Sequence, residues 1–192
     1  YYRSRLRPQT KIMAMVKATS YGSGSFEIAN VLQFHHVDYL AVAYTDEGVE
    51  LRKAGITLPI MVMNPEVQSF DAMIRHRLEP EIYDFRLLNQ LNESLKTHSG
   101  EPFRIHLKFD TGMHRLGFEE QDVPELIVRL KNSKLLHVQS VFTHLAASDE
   151  AEHDGFTALQ LDRFRMMSGQ LREAFTYPIL RHALNSSGIL RF

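Results

Sequence analysis

The sequence predicts an α/β fold of TIM type: a parallel sheet curled into an incomplete (β/α)8 barrel, with about seven βα units present. Three observations carry this expectation. Short β-rich apolar runs recur at 11–16, 39–43, 59–63, 79–83, 104–108, 137–143 and 180–184. The stretches between them are of helical length and carry apolar residues at helical spacing, so strands and helices alternate, as parallel sheets require. Polar residues able to do chemistry follow several runs and do not gather at one switch point. An open doubly wound sheet concentrates its site at one crevice, whereas a barrel delivers the carboxyl end of every strand to one face.

Taken in order, the intervening helices are marked by Phe26, Ala29 and Leu32, by Val49 and Leu51, and by Phe70, Met73 and Ile74. Leu87, Leu88 and Leu91 follow, then Leu126, Ile127 and Leu130, then Leu159, Phe164 and Met167. Gly55 and Gly100 stand where helices should stop, with Pro59 and Pro102 close behind. The first seven residues read as the last turns of a helix. Position 1 is a tyrosine and the chain stops at Leu190-Arg191-Phe192, so we expect a segment trimmed at both ends.

The 192 residues suit one domain with a real core. A formal net charge of -1 supplies no basic field for a nucleic-acid backbone. No apolar stretch approaches a membrane span, and the basic start has no apolar region behind it, so neither an anchor nor a signal peptide is expected. The absence of cysteine rules out a disulfide framework and thiolate chemistry, which fits the cytoplasm.

Lys17 ends the first apolar run and opens the small-residue stretch Ala18-Thr19-Ser20-Tyr21-Gly22-Ser23-Gly24. Partial desolvation of an amine exposes the nitrogen lone pair that a Schiff base needs, although most strand-end lysines simply reach for water. Gly22-Ser23-Gly24-Ser25 is no nucleotide motif, because a phosphate loop places its lysine after the glycines. It reads instead as a turn that opens a helix near Phe26 and lets Tyr21 approach a ligand.

Asp110-Thr111-Gly112-Met113-His114-Arg115-Leu116-Gly117-Phe118 follows the fifth run and holds Arg115 between two glycines, where its guanidinium can meet an oxyanion. Lys108 lies close enough in sequence to oppose Arg115, at a cost unless the lysine is neutral, modified or counter-charged. His144 ends the sixth run. With Asp149, Glu150 and His153 it matches no common zinc spacing, and no metal is expected. Asn185-Ser186-Ser187-Gly188 follows the seventh run as a helix cap or, since barrels often hold phosphate there, as an anion site.

Four blocks in order resemble the alanine racemase family. Val16-Lys17-Ala18-Thr19-Ser20-Tyr21-Gly22-Ser23-Gly24 is similar to that family's Val-Lys-Ala-Asn-Ala-Tyr-Gly-His-Gly, with substitutions at positions 19, 20 and 23. The others are His106 to Gly117, Thr143 to Glu150, and His182 to Gly188. The resemblance implies that residues 1–192 form a single pyridoxal-phosphate-binding barrel domain. It implies that Lys17 anchors the cofactor covalently and serves as one of two bases. Tyr21 and Ser186, with Asn185 beside them, would hold the phosphate, Arg115 would meet the phenolic oxygen, and His144 would support the pyridine ring. Lys108 is similar to a lysine that is carbamylated in some members.

The implied activity is the interconversion of L- and D-alanine for peptidoglycan by a homodimer. The second base, a tyrosine on the partner's C-terminal β-domain, and the arginine at the pyridine nitrogen are not found before Phe192. Residues 1–192 alone are therefore expected to be inactive. Two other readings remain open: a non-catalytic pyridoxal-phosphate carrier, and a racemase-like domain fused to a cell-wall precursor ligase.

Overall fold

The computed structural model describes residues 1–98 and 100–192. Seven parallel strands pair strictly in sequence order: β1 Met13–Met15, β2 Tyr39–Val42, β3 Ile60–Val62, β4 Glu79–Ile82, β5 Phe103–Lys108, β6 Leu136–Phe142 and β7 Leu180–His182. Helices connect them, and among the described residues β1 and β7 each have a neighbour on one side only. This is the incomplete barrel expected. Among the described residues no helix is long and apolar enough to cross a membrane.

Alternation along the strands makes two cores. Leu40, Val42, Ile60, Val62, Ile105, Leu107 and Val141 point outward and pack with Ala29, Leu51, Met73, Leu91, Leu126 and Phe164 from the helices. The inner face carries a small apolar group, Ala41, Met61 and Phe142 with Met13 and Met63 against it. Because both faces are covered, β2 and β3 read as unbroken apolar runs.

The inner face is otherwise polar, and its groups are joined. Glu79 Oε2 accepts from the Tyr39 hydroxyl at 3.0 Å and bonds His106 Nε2 at 2.8 Å. His106 Nδ1 meets Ser140 Oγ at 2.7 Å, which in turn meets His182 Nε2 at 3.1 Å. A register shift between Ile105 and His106 lets β5 and β6 place these side chains together. The His182 ring stacks on Phe142 at 4.8 Å, and burial drives its pKa down to about 3, helped by the nearby His106.

Three local expectations need correction. The start of the chain is one 3-10 turn, Tyr2–Arg5, with no buried residue, so no apolar stripe exists there to extend a helix. The helix Phe85–Leu95 stops before Gly100, because its buried row Leu87, Leu88, Leu91 and Leu95 ends where the core ends. The segment after Lys17 is no plain loop: Ala18, Thr19, Ser20 and Tyr21 all have φ between 51° and 57°.

Candidate functional site

Four consecutive non-glycine residues in the left-handed region are costly, roughly 1–2 kcal/mol each, and persist only where their surroundings over-determine them. Here the surroundings are a carboxylate and a set of backbone bonds. Glu47, in the first turn of the helix Thr45–Lys53, accepts from Ala18 N at 2.7 Å through Oε1. Its Oε2 accepts from Ala43 N at 2.7 Å and Tyr44 N at 3.1 Å. Ser20 N donates to Val16 O and Gly24 N to Thr19 O. Gly24 then caps the helix Ser25–Phe34, close to the start expected. The turn leaves Lys17 half-buried, Tyr21 68% exposed, and the Ser20 hydroxyl buried without a partner among the described residues.

Arg115 rides on a braced loop. Asp110 Oδ1 accepts from Gly112 N at 2.9 Å and His114 N at 3.1 Å. Phe118 returns to bond Lys108 O and Asp110 N, and this close approach needs Gly117, whose φ is 137°. A Cβ at Gly117 would collide with the Asp110 and Phe109 backbone. The Arg115 side chain stands exposed with no hydrogen-bond or ion-pair partner among the described residues.

His144 is half-buried at the end of β6. Gln160, fully buried, holds that segment by accepting from Ala146 N at 2.9 Å and donating to the His144 carbonyl at 3.2 Å and to Thr111 Oγ1 at 3.3 Å. The His144 imidazole is held below its ordinary pKa by burial first, then by the charges of Arg115, Lys108 and Lys17. Lys17 follows β1, Lys108 ends β5, Arg115 lies on the loop after it and His144 follows β6, so all four belong to the carboxyl-end rim of the sheet. Ser186 lies on the same rim after β7. Asn185 Oδ1 accepts from Gly188 N at 2.8 Å and from Ser148 Oγ at 3.0 Å, so this oxygen serves as a helix cap and is engaged within the chain.

Lys108 is buried, 3.0 Å from Oε1 of the equally buried Glu81. The approach is off-axis, and neither Glu81 oxygen receives a well-directed hydrogen bond. Burial pushes the Glu81 carboxyl up to about 7, against the pull of Lys108 and then Arg115. Lys108, whose charge was expected to oppose Arg115, thus has a carboxyl group beside it within the chain.

Glu47, Glu81 and Gln160 went unseen in sequence. A glutamate early in a helix after a strand could have marked Glu47. The other two sit in ordinary strand and helix positions. Near the His144 segment, Glu150, Glu152 and His153 gather on the surface, His153 Nε2 being 3.5 Å from Glu152 and 3.7 Å from Glu150. All three are exposed, and solvated acidic groups of this kind need no ion.

The family model for the alanine racemase N-terminal domain matches residues 1–192. This chain belongs to the alanine racemase family. The alanine racemase of Treponema denticola is 34% identical over 193 residues, covering 99% of this chain and 51% of its own length. The alanine racemase of Clostridium difficile 630 superposes with a TM-score of 0.91 at 35% identity, covering 98% of this chain and 52% of that one. That of Bacillus anthracis, solved with bound L-Ala-P, gives 0.89 at 27% identity, covering 100% of this chain and 49% of that one. The chain spans about half the length of the curated relatives it matches.

The racemase family's cofactor, pyridoxal phosphate, fits the groups present. The rim offers an amine, a phenol, a guanidinium and an imidazole, and the Lys17 and Arg115 side chains have no internal partner among the described residues. An aldehyde that carries a phosphate and a phenolic oxygen matches that donor set.

Proposed function

We propose that this chain is the pyridoxal-phosphate-binding barrel half of an enzyme that interconverts L- and D-alanine in the cytoplasm and so supplies D-alanine for peptidoglycan. The observation that carries the reading is the placement of Lys17, Arg115 and His144 on the segments that follow β1, β5 and β6, at the carboxyl ends of parallel strands. A barrel gathers the carboxyl ends of distant strands at this face, which is where barrel enzymes work.

When bound, the cofactor supplies a conjugated ring that takes up the electron pair left by the departing α-proton. The chain's own residues do the rest. Lys17 would hold the cofactor through its aldehyde and, at Nζ, carry the proton on one face. Arg115 binds the phenolic oxygen with a planar fork that a lysine could not imitate. Tyr21 and Ser186 would hold the phosphate. His144, kept neutral by burial and by the cations around it, orients its neighbours without adding charge.

Inversion at Cα needs a proton carrier on each face. Lys17 serves one, and the other is assigned to the partner subunit of a homodimer. The Arg115 and His144 blocks favour an enzyme over a non-catalytic carrier of the cofactor, which has no use for them.

The test is an absorbance spectrum of the protein with pyridoxal phosphate, before and after borohydride. A new band near the visible edge is expected, with a reduced adduct that peptide mapping places on Lys17. Folded protein with no band, or an adduct confined to other lysines, overturns the reading. Residues 1–192 alone should give no L-to-D alanine conversion in the same preparation.

A further inference from the structure

A second concentration of positive charge lies at the amino ends of β3 and β4, on the face of the sheet away from the rim. A cleft of about 380 Å³ opens there between the turn after the helix Thr45–Lys53 and the turn after the helix Phe70–Arg75. Arg52, Gly55, Thr57, Arg75, His76 and Arg77 are among the residues that line it. Its volume falls within the range of small-ligand sites, about 300–1,000 Å³.

Arg52 ties the two turns together. Its guanidinium donates to four main-chain oxygens: Nε to His76 at 3.0 Å, Nη1 to Ile56 at 2.8 Å and to Leu58 at 2.7 Å, and Nη2 to Arg77 at 3.2 Å. An arginine carries five N–H groups, so one remains uncommitted, and none of the four acceptors brings a charge.

The charge in the cleft is one-sided. No acidic residue lines it. The Arg75 and Arg77 side chains are exposed, with no hydrogen-bond or ion-pair partner among the described residues. Burial pulls the Arg52 pKa below its ordinary value, and the Arg77 charge adds to that pull. The acid whose charge reaches Arg52 is Glu79, and its carboxylate is already engaged on the inner face by Tyr39 and His106. The backbone N–H groups of Gly55, Thr57, His76 and Arg77 are bonded within the chain, so a ligand here has side chains to meet.

We propose that this cleft binds a phosphate dianion, free or as the ester of a small molecule, through Arg75, Arg77 and the uncommitted N–H of Arg52. A guanidinium presents a planar fork that matches two oxygens of a tetrahedral oxyanion. A dianion also offsets the repulsion between Arg52 and Arg77, which a single carboxylate offsets less. The site is separate from the phosphate position proposed at Tyr21 and Ser186, since those residues follow β1 and β7 at the opposite ends of the strands. It does not depend on the cofactor reading.

The test is a titration of the full chain with inorganic phosphate and, separately, with glycerol phosphate, followed by proton–nitrogen NMR at constant ionic strength. Saturable shifts are expected at the Gly55, Thr57, His76 and Arg77 amides. The double variant Arg75→Gln with Arg77→Gln should weaken binding about tenfold or more, the loss of two charge-assisted contacts. Tighter binding of glycerol phosphate supports the site and assigns it an ester, and equal binding supports it and assigns free phosphate. Shifts that spread over the surface without saturating overturn the proposal, as do shifts confined to Gly24 and Gly188 at the rim. If the double variant does not fold, Arg75→Gln alone, at an exposed helix end, should already weaken binding severalfold. Affinity unchanged in a folded variant overturns the proposal as well.

Discussion

Glu47 and Ala18 are joined by a 2.7 Å hydrogen bond that ties the residue after Lys17 to the beginning of the next βα unit. Each carboxylate oxygen of Glu47 serves a different stretch of backbone, Ala18 on one side and Ala43 with Tyr44 on the other. Glutamine cannot replace it, since the amide offers a single acceptor and turns two donors toward one of those N–H groups. Glu47→Gln should therefore cost about 1–3 kcal/mol in a urea melt. It should also weaken pyridoxal-phosphate capture about tenfold, the effect of losing ~1.4 kcal/mol of preorganisation. Unchanged affinity in an absorbance titration would show that the turn holds its shape without the clamp.

Gly117→Ala tests the Arg115 loop. The glycine sits at φ 137°, and the added methyl meets the Asp110 backbone, which cannot swing away as a side chain could. The expected loss is about 1–3 kcal/mol of stability. Cofactor capture should weaken in parallel, while far-UV circular dichroism stays unchanged at low temperature.

These two loops mark how far the sequence could be read. Strands such as β2 and β3 were legible because they are short apolar runs between breakers, and β5 alternates Arg104, His106 and Lys108 with Ile105 and Leu107. The rim residues were legible because they follow those runs. The left-handed turn was not. Ala18, Thr19, Ser20 and Tyr21 lack the glycine or asparagine that normally announces this backbone, and the carboxylate that stabilises it lies 29 positions away. Glu81 was hidden for a similar reason: 79–83 reads as a strand, but only curling of the sheet shows that Glu79 and Glu81 both turn inward and are buried.

Ser20→Ala should be neutral or stabilising, by up to about 1 kcal/mol, in the protein without cofactor. Its hydroxyl is buried with no partner among the described residues, so its removal relieves a desolvation cost. Thermal melts with and without pyridoxal phosphate check this. A loss of stability confined to the bound form would assign the hydroxyl to the ligand.

His182 makes the fold acid-sensitive. Its pKa is about 3 in the folded chain against 6.5 for an ordinary imidazole, so between these values the unfolded chain binds the extra proton. Stability from this group is complete above the ordinary value and is lost as the pH falls toward the folded one, on the order of 1 kcal/mol per pH unit. Glu81, raised to about 7, works in the opposite sense: its contribution is complete at low pH and declines as the pH rises from the ordinary carboxylate range toward 7. His182→Gln should flatten the acid side of the stability profile in chemical melts taken from pH 7 downward, and an unchanged slope would show that His182 is not the group responsible.

The two-sided sheet carries a consequence for the evolution of this chain. Glu79, Glu81, His106 and Lys108 line the inside, and Leu40, Ile60, Ile105 and Leu107 face the helices one residue out of phase. Inserting or deleting a single residue within β4 or β5 would exchange these sets, driving charges into the helix layer and aliphatic side chains into the polar chain of the interior. Strand length in this family member is therefore held more tightly than the identity of most residues within a strand, and natural length variation should be confined to the connections.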